Sequence, residues 1–202
     1  MRSFFKTNRT LSSRRKALLT DFQKRIGVKF KDLHLLDTAF YHRSFANETA
    51  GTAENNERLE FLGDAVLGIT AASYLYETLH DAPEGELTKI KSFVVSETSL
   101  SEIALDIGIE QCLCLGKGEE HSGGRSKKAI LADTTEAVFG ALYLDSGFKT
   151  AEKLILSLLV PQIRKVLENR HQKDYKTLLQ ELYQKKYKQC PHYELIKKTG
   201  PD

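Results

Sequence analysis

The chain has 202 residues, a net charge of +3 and a hydrophobic fraction of 41%, values that are ordinary for one soluble globular domain plus part of a second. No apolar run approaches the roughly 20 residues that a membrane-spanning helix needs, so we expect no membrane segment. The three cysteines form no CxxC pair, which argues against a disulfide framework or a zinc site and favours the cytoplasm.

The charge is unevenly distributed along the chain. Residues 1–20 hold six Lys and Arg and no acid, and residues 164–202 hold ten Lys and Arg against five Asp and Glu. The part between them is therefore net acidic, which suits a protein that binds metal centrally and a polyanion at its periphery. Basic ends are also common as plain solvated tails. We expect residues 1–20 to form a flexible basic arm, without a signal peptide because no apolar segment follows the charges.

Between the arm and the glycine-rich segment at 116–128, every clear apolar period is 3.6 residues and none is two, which predicts an all-α domain. The predicted helices cover residues 15–26, 31–40, 56–79, 86–95, 97–107, 130–145 and 150–167. Ser96 and Thr150 are expected to cap the helices that follow them, and Pro161 to kink the last one. Residues 116–128 are predicted as a glycine-rich loop, either a mobile basic loop beside an active site or a plain connector.

The helix that starts near residue 56 carries two stripes. One is an apolar row that should face the core: Leu59, Leu62, Val66 and Ile69. The other is an acidic row made by Glu57, Glu60 and Asp64, with no lysine or arginine from residue 59 to 88. Like charges stacked on one helix repel one another, and a bound divalent cation would offset that repulsion. An ordinary solvated acidic face is the alternative.

A second helix, 130–145, offers another carboxylate pair, Asp133 and Glu136, in apolar surroundings. If the two helices meet, four carboxylates converge, and their charges need a cation or protons. Because the candidate ligands are all oxygens, the metal indicated is Mg²⁺ or Mn²⁺ rather than zinc. His42 is a candidate catalytic base, but packing at a helix end is the favoured interpretation.

The pattern changes near the C-terminus. Residues 169–173 form a polar linker, Asp174 caps a new helix, and residues 193–196 alternate as a strand would. A second, α+β module is therefore expected to begin here.

Several blocks resemble the ribonuclease III family. NERLEFLGD at 56–64 looks like the family signature, and HRSFANE at 42–48, GRSKKAILAD at 124–133 and EAVFGALYLD at 136–145 follow in the family's order. DYKTLLQELYQKK and HYELIKKTGPD resemble the first helix and strand of a double-stranded-RNA-binding domain. The resemblance implies an all-α endonuclease domain at 21–149, with helical packing to about 168, a linker at 169–173 and a partial RNA-binding domain at 174–202.

Carried over residue by residue, the resemblance makes Glu60, Asp64, Asp133 and Glu136 the metal-binding carboxylates. Asp64 and Glu136 would be indispensable to catalysis, and Glu57 would be a supporting or structural carboxylate. It implies Mg²⁺, for which Mn²⁺ can substitute, and no small-molecule cofactor. The implied reaction is cleavage of double-stranded RNA to 5′-phosphate and 3′-hydroxyl ends with short 3′ overhangs, in precursor ribosomal RNA and other structured transcripts.

The family also implies a homodimer, in which Phe61 resembles the aromatic that crosses the interface; ordinary core packing is the alternative. Thr177, Gln180 and Glu181 match the helix positions that meet the RNA minor groove. The rest of the family's RNA-binding domain does not follow Asp202, which puts affinity for duplex RNA in doubt. Two other functions remain open. One is a non-catalytic RNA-binding homologue of the same fold, although such homologues typically lose one or more of the carboxylates. The other is a metal phosphohydrolase acting on small nucleotides.

Overall fold

The computed structural model describes residues 10–48 and 54–192, apart from the side chains of 169–178 and 181. The described helices are α1 (Ser13–Ile26), α2 (Leu33–Ala39), α3 (Arg43–Glu48), α4 (Glu57–Thr78), α5 (Glu84–Val94), α6 (Glu97–Asp106), α7 (Ile109–Cys112), α8 (Lys117–His121), α9 (Lys128–Ser146) and α10 (Phe148–Tyr187). A short 3₁₀ turn, Gly124–Ser126, lies between α8 and α9. The described chain is thus predominantly helical, as the apolar period predicts.

Helix α1 begins earlier than the predicted basic arm allows. The hydroxyl of Ser12 accepts a hydrogen bond from the amide of Arg15 and caps the helix, and Gly27 closes it in the left-handed region at φ 68°. Leu19 is fully buried. The prediction of a flexible arm over 1–20 is therefore wrong for residues 13–20, because Leu19 enters the core and Arg15 pairs with the buried Asp37, while Arg14 and Lys16 face solvent. Residues 1–9 lie outside the described part.

Helices α4 and α9 form the centre of the domain and pack along each other. Helix α6 packs on another side of α9, and α2 contacts α9 as well. The carboxylate of Asp145, near the end of α9, accepts hydrogen bonds from the amides of Lys31 (3.0 Å) and Asp32 (2.8 Å). This contact fixes the start of α2 against the end of α9.

The face of α4 toward the core differs from the predicted row in one position. Leu59 and Val66 are buried as expected and Leu62 is half-buried, but Ile69 is 53% exposed. The buried side of α4 continues instead through Leu67, Thr70, Ala71 and Leu75. Ile69 was assigned to the wrong face because α4 is apolar on more than one side, which leaves the sequence period ambiguous.

Residues 116–128 are ordered by side-chain contacts rather than forming the predicted loop. They contain α8 and the 3₁₀ turn, and Arg125 holds them together. Its guanidinium pairs with Glu120 at 2.5 Å and donates hydrogen bonds to the carbonyl oxygens of Glu110 and Leu113. Glycine content predicted flexibility here, and these charge-assisted contacts override it.

Helix α10 runs from Phe148 to Tyr187 as one element that includes Pro161. It begins before Thr150, whose hydroxyl donates to the carbonyl of Ser146 at 3.1 Å, so the predicted cap at Thr150 is wrong. Residues 169–173, predicted as a polar linker, are helical, and no new helix begins at Asp174. The chain divides into compact units at 1–162 and 163–202. The predicted strand at 193–196 lies outside the described residues.

None of the helices in the described part is long and apolar enough to cross a membrane.

Candidate active site

Two glycines let α4 and α9 cross with their backbones in contact. A Cβ atom added to Gly63 would lie 1.8 Å from the carbonyl oxygen of Glu136, and one added to Gly140 would lie 2.2 Å from that of Leu59. Any side chain at either position would force the helices apart, so glycine is required at this crossing. The sequence period alone does not mark these two glycines, because it does not show where two distant helices cross.

The four predicted metal ligands flank this crossing. Glu60 and Asp64 lie three residues before and one residue after Gly63, and Asp133 and Glu136 precede Gly140 by one to two turns. From residue 130 to 142, every residue of α9 is buried except Asp133 and Glu136, which are half-buried. Glu60 is also half-buried, and Asp64 is exposed. The buried side of α9 therefore opens to solvent only at its two acids.

The electrostatics show that the carboxylates of the two helices act on one another. Burial, and then the charges of Asp64, Asp133 and Glu60, raise the pKa of Glu136 to about 8. Burial and the neighbouring acids Asp133, Glu57 and Asp64 also raise the pKa of Glu60, against a lowering effect of Arg43. The raised pKa of Glu136 therefore reflects first its burial and second the negative charges of the neighbouring acids.

Three residues outside the two central helices act on the pKa of Asp133. Burial and the carboxylate of Glu97 on α6 raise its pKa, while His42 and Arg43 oppose the rise. Among the described residues, no three His, Cys, Asp or Glu side chains are arranged as a ready metal-binding group. The four acids lie within electrostatic range but would have to draw together to share one ion.

The donor set fits a hard divalent cation. Glu60, Asp64, Asp133 and Glu136 supply only carboxylate oxygens, which Mg²⁺ and Mn²⁺ prefer. A cation at this place would also offset the repulsion from Asp64, Asp133 and Glu60 that adds to the raised pKa of Glu136. The four residues include no histidine or cysteine, which are the usual ligands of zinc, so the set does not favour zinc.

Glu57 lies at the edge of this group, on the first turn of α4. Its side chain is 54% exposed, accepts a hydrogen bond from the Asn55 amide at 2.9 Å and lies 4.0 Å from the guanidinium of Arg43. It raises the pKa of Glu60, so it contributes negative charge from the side.

His42 precedes α3, at a helix end. Its Nδ1 lies 2.8 Å from the hydroxyl of Ser44, and its backbone amide donates to the carbonyl of Cys114 at 3.2 Å. Burial lowers its pKa, while Glu119 and Asp133 act in the opposite direction. His42 and Arg43 therefore border the carboxylates. The one signal for Arg43 in the sequence is its place inside the HRSFANE block.

The remaining predicted site residues are not brought to this crossing by any described contact. Phe61 on α4 is 80% exposed, so it is not a core residue of the described chain. Thr177, Gln180 and Glu181 lie in α10, where Gln180 is half-buried and the side chains of the other two lie outside the described part.

Comparison with known proteins shows the family to which the chain belongs. Residues 32–163 match a family model described as ribonuclease-III-like. The chain is 60% identical over 192 residues to Ribonuclease 3 of Treponema denticola, covering 95% of this chain and 78% of the relative, and 50% identical over 201 residues to Ribonuclease 3 of Treponema pallidum, covering 98% and 79%.

A solved structure gives the same result for the fold. The structure of the nuclease domain of ribonuclease III from Campylobacter jejuni, described for flexibility in a region involved in dimer formation, is 36% identical. It matches with a TM-score of 0.66 over 70% of this chain and 95% of that one.

The fold and the matched region define a helical nuclease domain of the hydrolase class. The chain belongs to the ribonuclease III family and is an endonuclease, as its sequence blocks predict. Membership of this family implies a divalent metal cofactor.

Proposed function

We propose that the chain is a Mg²⁺-dependent endoribonuclease that cleaves double-stranded RNA to 5′-phosphate and 3′-hydroxyl ends with short 3′ overhangs. The observation that carries this proposal is the meeting of two carboxylate pairs at the crossing of Gly63 and Gly140, where the pKa of Glu136 rises to about 8. The proposed substrates are precursor ribosomal RNA and other structured transcripts, in the cytoplasm.

In this proposal Glu60, Asp64, Asp133 and Glu136 hold the ion, and Asp64 and Glu136 are the residues that cleavage requires. At such a site Mg²⁺, or Mn²⁺ in its place, supplies a more acidic water and a positive charge for the phosphate oxygens. Because its pKa is about 8, Glu136 keeps a proton near neutral pH when no cation is present, and binding of a cation would favour its ionised form. Glu57 supports the site from outside the ligand set.

We propose that the chain acts as a homodimer through the exposed side of α4. Phe61 is 80% exposed, and Ile69 and Tyr76 on the same helix are 53% and 75% exposed. Large apolar side chains on one helix favour burial against a partner. A two-fold symmetric dimer would bring two carboxylate sites to one duplex, one for each strand, which fits cleavage of double-stranded RNA.

We propose that residues 174–202, which begin within the last part of α10, are the start of a double-stranded-RNA-binding domain. In this domain Thr177, Gln180 and Glu181 would face the RNA minor groove. Duplex RNA hides its base edges in a deep major groove, so recognition would rest on shape, phosphates and 2′-hydroxyls. The basic residues of the same segment would add a salt-dependent part of the affinity.

Incubation with end-labelled RNA tests the proposal directly. The full chain is mixed with an RNA duplex, and separately with each single strand, in Mg²⁺ or in a chelator, and both ends of every product are analysed. We expect cleavage of the duplex alone, in Mg²⁺ alone, with 5′-phosphate ends on both strands. Binding of the duplex without cleavage in Mg²⁺ would instead identify a non-catalytic RNA-binding homologue, and preference for single strands would refute the proposed substrate.

A further inference from the structure

Helix α3 is fastened beside the carboxylates by contacts at both of its ends. The amide of Gly116 donates to the hydroxyl of Ser44 at 2.9 Å, and the amide of Lys117 donates to the carboxylate of Glu48 at 2.9 Å. Just before the helix, the amide of His42 donates to the carbonyl of Cys114 at 3.2 Å. The backbone that carries Arg43 is therefore held by the segment 114–117.

Arg43 points its charge at the carboxylate group while staying open to solvent. Its side chain is 70% exposed, and its ion pair is with Glu57 at 4.0 Å, the outer limit for such a contact. Its positive charge acts on both Glu60 and Asp133, one from each of the two central helices. A fixed backbone, an exposed guanidinium and a loose partner leave its donors available to a ligand at the site.

Two other basic residues, Arg125 and Lys127, have close ion-pair partners within the protein. Arg125 is paired with Glu120 at 2.5 Å, and Lys127 is paired with Glu119 at 2.6 Å while also donating to the hydroxyl of Ser122. Those close pairs hold residues 117–127 together, so their donors are used within the protein. Arg43 has no such close pair among the described residues.

We propose that Arg43 binds a backbone phosphate of the RNA strand at the carboxylate site and so positions that strand for cleavage. A guanidinium presents parallel donors that match two phosphate oxygens, and it carries the charge opposite to that of the phosphate. The phosphate takes the place of Glu57 as the partner of Arg43. This inference rests on the proposed function, because it requires RNA at the site.

The experiment compares Arg43→Ala and Arg43→Lys with Arg14→Ala, an exposed arginine on α1, in the full chain. Binding of a labelled RNA duplex is measured in Ca²⁺ over a range of salt concentrations, and cleavage in Mg²⁺ gives kcat and KM. Binding of Mn²⁺ is measured separately without RNA. Circular dichroism confirms that each variant is folded, which the exposure of Arg43 makes the expected result.

We expect Arg43→Ala to weaken duplex binding about tenfold and to reduce the slope of log affinity against log salt by about one, the signature of one lost phosphate contact. Arg43→Lys should keep the slope and lose part of the affinity, since it keeps charge without the paired donors. Arg14→Ala should match the unaltered chain. Affinity for Mn²⁺ should not fall in Arg43→Ala, because removing a nearby cation does not weaken a cation site.

Unchanged duplex affinity and salt slope in Arg43→Ala, with normal cleavage by the unaltered chain, would overturn the inference alone. Weaker Mn²⁺ binding with unchanged duplex affinity would also overturn it, by assigning Arg43 to the construction of the metal site. If the unaltered chain neither binds nor cleaves duplex RNA, the proposed function fails first and the inference falls with it.

Discussion

Gly63 and Gly140 face each other where α4 crosses α9. A Cβ atom on either one would lie 3.0 Å from the backbone nitrogen of the other. The two backbones therefore come into direct contact at this crossing, and each helix carries one pair of carboxylates beside it. The site therefore depends on two positions that have no side chain as well as on the four acids.

Replacement of Gly63 by alanine should therefore destabilise the protein. Alanine is favoured over glycine within a helix by about 1 kcal/mol, but the methyl group would clash with the carbonyl of Glu136 and cost more than this gain. We expect a net loss of about 2 kcal/mol in the free energy of unfolding, measured by urea denaturation, together with reduced cleavage. Gly68→Ala on the same helix is the control, because its Cβ would meet nothing closer than 3.8 Å, the distance to the Lys91 amine. Equal stability of the two variants would contradict the close crossing.

The metal-free protein should lose stability as the pH rises from about 5 to about 8. Glu136 has an ordinary pKa of 4.5 when unfolded and a pKa of about 8 when folded. Below pH 4.5 both states are protonated, and above it unfolding releases a proton that the folded state keeps, so rising pH favours unfolding until the folded pKa is passed. Thermal denaturation in a chelator measures this slope.

The variant Glu136→Gln provides the matched control for that experiment. Because glutamine does not ionise, its stability should vary less over the same pH range. A slope that is the same in both proteins would show that folding does not raise the pKa of Glu136.

The ion pair between Arg15 and Asp37 should be essential to the fold. The two side chains lie 2.5 Å apart, Asp37 is almost fully buried, and the same arginine donates to the carbonyl of Cys112 at 2.7 Å. Arg15→Ala leaves a buried carboxylate without its cation, which costs about 3 kcal/mol of unfolding free energy. Arg14→Ala, an exposed neighbour, should change it by less than about 0.5 kcal/mol. Similar urea midpoints for the two variants would place Arg15 in the flexible arm after all.

Phe61 should control self-association without controlling the fold. It is exposed in the single chain, so Phe61→Asp should leave the helical content unchanged while placing charge in the proposed interface. Sedimentation velocity should show a dimer for the unaltered chain and a shift toward monomer for the variant. Leu105→Asp, which alters an exposed apolar residue on α6, is the control. Loss of the dimer in Leu105→Asp but not in Phe61→Asp would show that the interface involves α6 and not the Phe61 side of α4.

Most helices could be predicted because the apolar period and the caps are local properties. Ser96 caps α6 through its hydroxyl, and Gly147 ends α9, as their positions indicate. The predictions were wrong where contacts between distant segments determine the structure. Helix α4 is apolar on several sides, so its sequence does not show which side meets α9. The apolar period therefore predicts a buried Ile69, which the structure exposes. The ordering of residues 117–127 depends on ion pairs of Arg125 that composition does not show.

Part of the candidate site could also be predicted, because helical spacing is a local property of the sequence. Spacing indicated which acids share a face within each helix, and the family resemblance joined the two helices. The close approach at Gly63 could not be predicted from spacing alone, because it depends on how two distant segments cross. The role proposed for Arg43 could not be predicted from spacing either, because it depends on the contacts that hold α3 against the segment 114–117.

The most direct test of the central claim is the single-turnover cleavage rate of duplex RNA in Mg²⁺ for three proteins: the unaltered chain, Glu136→Gln, and Glu77→Gln. Glu77 is an exposed acid on α4, several turns from the crossing, and serves as the matched control. We predict a rate that falls by about a thousandfold or more in Glu136→Gln, as expected for removal of a group that catalysis requires, and that is unchanged in Glu77→Gln. Cleavage by Glu136→Gln at the unaltered rate would contradict the assignment of the active site to this crossing.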